Sequence, residues 1–181
     1  ESVDFLDELG VTAFKIASGD ITHRPLIEHV ARKNKPVLLS TGMSSGEEIE
    51  TAIDWMHAQS NAQTILLHCV SSYPAAAEEL NLKSVEYLRD RFGVPVGFSD
   101  HSVGSLGSTV AVSLSAQVIE RHFMVETRGD LPDLHIAHDV PGRTGALHAH
   151  AAQAARRGLP VAERRGAGCN GGFPAFARAP R

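Results

Sequence analysis

Lys15, His101 and His122 are the side chains best placed for chemistry, because each sits in or just after a short apolar run. Residues 13–17 hold Lys15 and lead into Ser18-Gly19-Asp20, and residues 37–39 lead into Ser40-Thr41-Gly42. Residues 65–68 end on His68, before Cys69 and Ser71-Ser72-Tyr73. Residues 94–98 precede Ser99-Asp100-His101, and residues 118–119 precede Glu120-Arg121-His122. A lysine in an apolar strand either snorkels at an edge, aims its ammonium at a bound anion or forms a Schiff base with a carbonyl substrate. Ser18, Ser40 and Ser99, with backbone N–H groups in the Gly19 and Gly42 turns, can hold carboxylate or phosphate oxygens; ordinary turn chemistry is the alternative. His101 and His122 end successive runs. Adjacent parallel strands lie about 4.8 Å apart, so both imidazoles can meet at one point. Two imidazoles with oxygen ligands from water and substrate suit a borderline divalent cation such as Mn²⁺. His68 ends the preceding run and could join them; it is kept as a residue that packs beside the pair or supports its ligands from behind.

These residues need a scaffold that brings run ends together. The ends at Ser18, Thr41, Cys69, Ser99 and His122 are spaced 23, 28, 30 and 23 residues apart, with an amphipathic stretch between most of them. Nearly unbroken apolar strands alternating with helices indicate a parallel sheet. In such sheets the active site lies at the C-terminal strand ends. The helical signals agree. Ser44 and Ser45 stand in capping-box spacing to Glu47 and Glu48, ahead of Ile49, Ala52, Ile53 and Met56 on one face. Pro25 fits a first helical position, Val3, Leu6 and Leu9 form a partial leading face, and Gly93-Val94-Pro95 closes a helix carrying Leu82, Val85 and Leu88. Five strands also suit an open doubly wound sheet, so this pattern leaves both architectures standing.

The chain has 181 residues, and its 17 Lys and Arg against 21 Asp and Glu give a net charge of −4. That balance gives no electrostatic reason to expect nucleic acid or an anionic membrane as partner. No apolar run approaches the roughly 20 residues that span a bilayer. Cys69 and Cys169 match no zinc or redox spacing, so a reduced, cytoplasmic setting is expected.

Five segments in order resemble the sialic acid synthase family, including its legionaminic and pseudaminic acid relatives. They are residues 14–20 (FKIASGD), 35–43 (KPVLLSTGM), 66–74 (LLHCVSSYP), 97–102 (GFSDHS) and 118–123 (VIERHF). The resemblance implies a (β/α)₈ TIM barrel of which strands four to eight are present. It also implies a transferase that condenses phosphoenolpyruvate with an N-acetylated amino sugar, releasing phosphate and forming a nine-carbon sialic-type acid. By motif position His101 and His122 are the ligands of a Mn²⁺ or Mg²⁺ ion. Lys15, Ser18, Ser40 and Ser99 fall at phosphoenolpyruvate contacts, Asp20, Tyr73 and Asp133 at sugar contacts, and Ser71 joins the substrate-binding set. A homodimer is implied for the full-length protein.

The sequence also departs from the family pattern. The general catalytic carboxylate is expected upstream of this chain, so none is assigned within it and the stretch alone is expected to be inactive. Met124 replaces the usual Thr, and Leu131-Pro132-Asp133 stands for Gly-Pro-Asp. Residues 1–134 are read as the C-terminal part of the barrel. Residues 135–181, rich in Ala, Arg and Gly, are expected to be an irregular or frame-shifted tail, with a helix possible over 145–157 and no further strand.

Overall fold

The computed structural model describes residues 1–61, 63–124 and 138–139. A leading helix α1 (Ser2–Glu8) precedes β1 (Phe14–Ile16), α2 (Arg24–Ala31), β2 (Val37–Ser40), α3 (Gly46–Ala58), β3 (Thr64–Cys69), α4 (Ser84–Phe92), β4 (Val96–Asp100), α5 (Leu106–Ser113) and β5 (Ile119–Arg121). The strands form one sheet in the order β1-β2-β3-β4-β5, every pair parallel. A doubly wound sheet reverses its strand order at a switch point. This one never reverses, so the open alternative falls and the partial (β/α) barrel holds.

The two sheet faces differ. Phe14, Ile16, Val37, Leu39, Leu66, Val96 and Phe98 share one core with Ile27 and Val30 of α2, Ile49, Ala52 and Met56 of α3, and Val85 and Leu88 of α4. That is the outer, helix-covered face. On the other face Lys15, Leu38 and Ile65 are in register, above them Ser40, Leu67 and Gly97, and above those Cys69, Ser99 and Glu120. Gly97 is needed there, since a Cβ would lie 2.5 Å from the Val118 carbonyl and 2.7 Å from Leu67.

The helix boundaries follow from local chemistry. Ser45 caps α3 in a full capping box: its N–H donates to Glu48 Oε2 at 2.7 Å and its Oγ accepts the Glu48 N–H at 3.3 Å. Helix α2 starts one residue before Pro25, which occupies the second position, where a missing N–H still costs nothing. Gly93, at φ 63°, ends α4 in the left-handed region. Of the partial face expected on α1 only Val3 is buried, while Leu6 and Leu9 are 40% and 64% exposed. Ion pairs hold α1 instead: Asp4 pairs with His29 and Lys33, and Asp7 with Lys33 and Lys35.

Beyond the main sheet, β6 (Phe123–Met124) pairs in parallel with β7 (His138–Asp139). This corrects the expectation of no strand after residue 134; a two-residue strand is too short to carry a readable period. Asp133, the proposed boundary at 134 and the helix expected over 145–157 lie outside the described residues. Among the described residues no helix is long and apolar enough to cross a membrane.

Candidate active site

The C-terminal strand ends form the site. Lys15 lies on β1 and Glu120 on β5, the two opposite edges of the five-stranded sheet. In a flat sheet, four strand spacings would hold them about 19 Å apart. Here Lys15 Nζ lies 3.6 Å from Glu120 Oε1, so the sheet curls into a bowl with its inner face concave. Ser99, on β4 beside Glu120, donates its hydroxyl to the same oxygen at 2.6 Å. Lys15 and Ser99, both expected at an anion, thus converge on one carboxylate. Among the described residues the Lys15 ammonium pairs with an anion, not with a second cation of the kind that activates an amine nucleophile.

The histidine pair assembles as expected. Asp100 and Arg121 are register partners, and His101 and His122 follow them directly. Their ring centroids are 5.4 Å apart, and the Tyr73 ring lies 4.2 Å from His101 and 5.9 Å from His122. His101 Nδ1 is 2.8 Å from the Val70 carbonyl. A carbonyl only accepts, so Nδ1 carries the proton and Nε2 keeps its lone pair in the neutral ring. Orientation of one ring nitrogen by a carbonyl is how metal-binding histidines are commonly held. The donor set therefore fits a divalent cation with two protein nitrogens and remaining positions filled by water and substrate. No cluster of three or more His, Cys, Asp or Glu suited to a metal exists among the described residues.

The other site residues are placed as follows. Ser18 Oγ and Ser71 Oγ lie 3.5 Å apart at the β1 and β3 ends. Ser40 is buried on the inner face opposite Leu67. Asp20 is exposed in a short 3₁₀ turn (Ser18–Asp20), with no side-chain hydrogen bond or ion pair to the others among the described residues. Gly42 keeps the β2 and β3 ends close, since a Cβ there would meet Cys69 Sγ at 2.6 Å and Ser71 Oγ at 2.9 Å. His68 faces outward. Its Nε2 donates to the Leu80 carbonyl at 2.7 Å and its ring stacks on Phe98, which confirms the packing role. Burial pushes this imidazole below its ordinary pKa, with the Leu80 bond opposing.

Two groups escaped assignment from sequence. Glu120 stands out in the sequence as a polar strand end, but its meeting with Lys15 depends on curvature that no local pattern encodes. Asp100 and Arg121, also strand-end residues, face away from the bowl and form a buried ion pair at 2.6 Å. Period-2 alternation from Ser99 and Glu120 would have put them on the outer face. A cavity of about 690 Å³ borders the rim, lined by Gly42, Cys69 and Val70 on one side and by Glu78, Asn81 and Lys83 on another. Lys15, Ser99, His101 and His122 do not line it, so converging polar groups rather than volume define the site.

The sequence profile of the NeuB family matches residues 1–151. The chain is 43% identical over 141 residues to the N,N'-diacetyllegionaminic acid synthase of Legionella pneumophila, covering 76% of this chain and 39% of that protein. It is 39% identical over 126 residues to a pseudaminic acid synthase of Campylobacter jejuni, covering 70% and 37%. In structure it is similar to the N-acetylneuraminic acid synthetase of Leptospira borgpetersenii, with TM-score 0.80, 33% identity, and coverage of 91% of this chain and 57% of that one. The chain thus spans about two-fifths of the length of these curated relatives. Its curled parallel sheet, its rim of strand-end lysine, serines and histidines and these matches make it a member of the NeuB family.

Proposed function

We propose that the protein carrying this chain condenses phosphoenolpyruvate with the open-chain aldehyde of an N-acetylated amino sugar, giving a sialic-type acid and phosphate. The observation that carries this reading is the convergence of Lys15 and Ser99 on one oxygen of Glu120, beside the His101–His122 pair. An ammonium and a hydroxyl that meet one carboxylate in the bowl are spaced to take an anionic substrate. Ser18 and Ser71 at neighbouring strand ends extend the polar rim. The names of the relatives, legionaminic and pseudaminic acid synthases, support a nine-carbon acid as product.

Carbon 3 of phosphoenolpyruvate forms a bond to the aldehyde carbon, water adds at carbon 2, and cleavage of the carbon–oxygen bond expels phosphate. Lys15, Ser18, Ser40 and Ser99 hold the anion, while Tyr73, Asp20 and Asp133 serve the sugar. His101 and His122 would hold Mn²⁺ or Mg²⁺, which when bound polarises the aldehyde as a Lewis acid. A homodimer in the cytoplasm is part of the same reading.

Phosphoenolpyruvate labelled with ¹⁸O in the bridging position tests it, using the full product of the encoding gene, an N-acetylated hexosamine and Mn²⁺. The label should leave in phosphate. Retention of the label in the sugar acid, or no sugar-dependent phosphate release, would sink the proposal. Borohydride trapping should give no covalent adduct at Lys15.

A further inference from the structure

We infer that Asp100 and Arg121 are positioning residues that set the spacing of His101 and His122, acting from the opposite face of the sheet. The inference rests on the reading of those histidines as metal ligands. Asp100 and Arg121 are the last register pair of β4 and β5, and each immediately precedes one histidine. Their side chains are 0% and 6% exposed and joined at 2.6 Å. The bonds around them bracket His101 closely. Asp100 Oδ1 accepts both the backbone N–H of Ser102 at 2.9 Å and its hydroxyl at 2.6 Å, tying together the residues on either side of His101. Arg121 Nη2 donates to the Ser102 carbonyl at 2.6 Å, and Nη1 donates to the Gly104 carbonyl at 2.6 Å. Ser108, at the start of α5, donates to the second Asp100 oxygen. One guanidinium, on the residue just before His122, therefore anchors the loop that begins at His101.

The chemistry of the pair favours a geometric role. A buried ion pair is rarely a better stabiliser than apolar residues of similar size, because both charges must be desolvated. A forked guanidinium instead imposes direction, which a lysine or an apolar side chain does not. Gly107 packs against this network so closely that a Cβ would lie 2.9 Å from Ser102 Oγ, leaving the loop little room to shift.

The test compares the wild-type protein, in the full form its gene encodes, with Asp100→Asn/Arg121→Met and with Arg121→Lys. The double variant removes both charges together, so no unpaired ion is left buried, and Arg121→Lys keeps the charge but loses the fork. Three quantities are read: apo-protein melting, Mn²⁺ affinity by electron paramagnetic resonance, and the ring ¹H–¹³C signals of His101 and His122. Ring currents of the facing Tyr73 and histidine rings should displace those signals from free-histidine values. We expect cooperative melting, Mn²⁺ binding weakened about 10–100-fold in the double variant and less in Arg121→Lys, and ring signals shifted toward free-histidine values. Wild-type Mn²⁺ affinity in a folded variant would overturn the inference. If the double variant fails to fold, Arg121→Lys decides by the same measurements. If the wild type itself binds no divalent cation, the metal reading fails, and the ring signals decide alone: displacement in the variants upholds the positioning role, and unchanged signals refute it.

Discussion

At the scale of single residues, charge and hydrogen-bond partners dictate distinct outcomes for groups that sit side by side. Lys15 places an ammonium in the bowl, beside Glu120. Lys15→Met should therefore raise KM for phosphoenolpyruvate about tenfold or more while leaving the sugar KM nearly unchanged, because a charge-assisted contact contributes roughly 1.5–3 kcal/mol. Initial-rate kinetics in both substrates measure the split, and an unaltered phosphoenolpyruvate KM removes Lys15 from the site. Both His101→Ala and His122→Ala should abolish metal-dependent turnover. His101→Ala should in addition destabilise the fold by about 1 kcal/mol, since the Val70 carbonyl loses its donor. Urea unfolding of the apo His101→Ala variant against the wild type reports the loss.

At the scale of elements, two features of packing make predictions of their own. Gly97 on β4 has no room for a side chain. Gly97→Ala should cost about 1–3 kcal/mol by forcing β5 outward, seen as a lower urea midpoint; an unchanged midpoint would show that Val118 relaxes freely. Helix α1, with Leu6 and Leu9 exposed, depends on its acidic residues. The Lys33 ammonium, then the His29 ring, hold the Asp4 carboxyl well below the usual carboxylate range, and Lys35 lowers Asp7 in the same direction. A depressed folded-state pKa stabilises at pH above the unfolded value, near 4, and that stability is lost as pH falls below it. Amide exchange in α1 should thus accelerate relative to β2 and β3 as pH drops below about 4, and 1 M salt at neutral pH should act in the same direction. Exchange rates in α1 that track those of β3 throughout would contradict this.

At the scale of the molecule, the sheet is a curved segment with β1 and β5 at its margins. Among the described residues no strand pairs with the outer edge of β1 or β5; unpaired strand margins are templates for pairing with other chains, and five strands do not close an eight-stranded barrel. Produced as these 181 residues, the chain should self-associate or aggregate and release no phosphate from phosphoenolpyruvate. Sedimentation and a phosphate assay check both halves. A stable monomer turning over at an enzyme-like rate would show that the chain contains its own catalytic carboxylate.

Local rules made much of this protein legible without coordinates. The apolar runs marked the five strands to within a few residues, the Ser45–Glu48 box marked the start of α3, and the polar run ends marked the rim. Each of these depends on neighbours within a few positions, which is the range over which periodicity and capping operate. The pairing of His101 with His122 was readable too, because it needs only that consecutive strands be adjacent. Periodicity alone left barrel and open sheet standing while the family resemblance implied the barrel; the strand order bears that out, and only tertiary structure joined Lys15 to Glu120. Curvature is the sum of small twists over the whole sheet, so no single segment encodes the contact between its two edges. Tertiary structure likewise decided that Asp100 and Arg121 meet beneath the rim while Ser99 and Glu120 meet above it. Adjacent residues on a strand point to opposite faces, and which face becomes the interior is settled by where the helices pack.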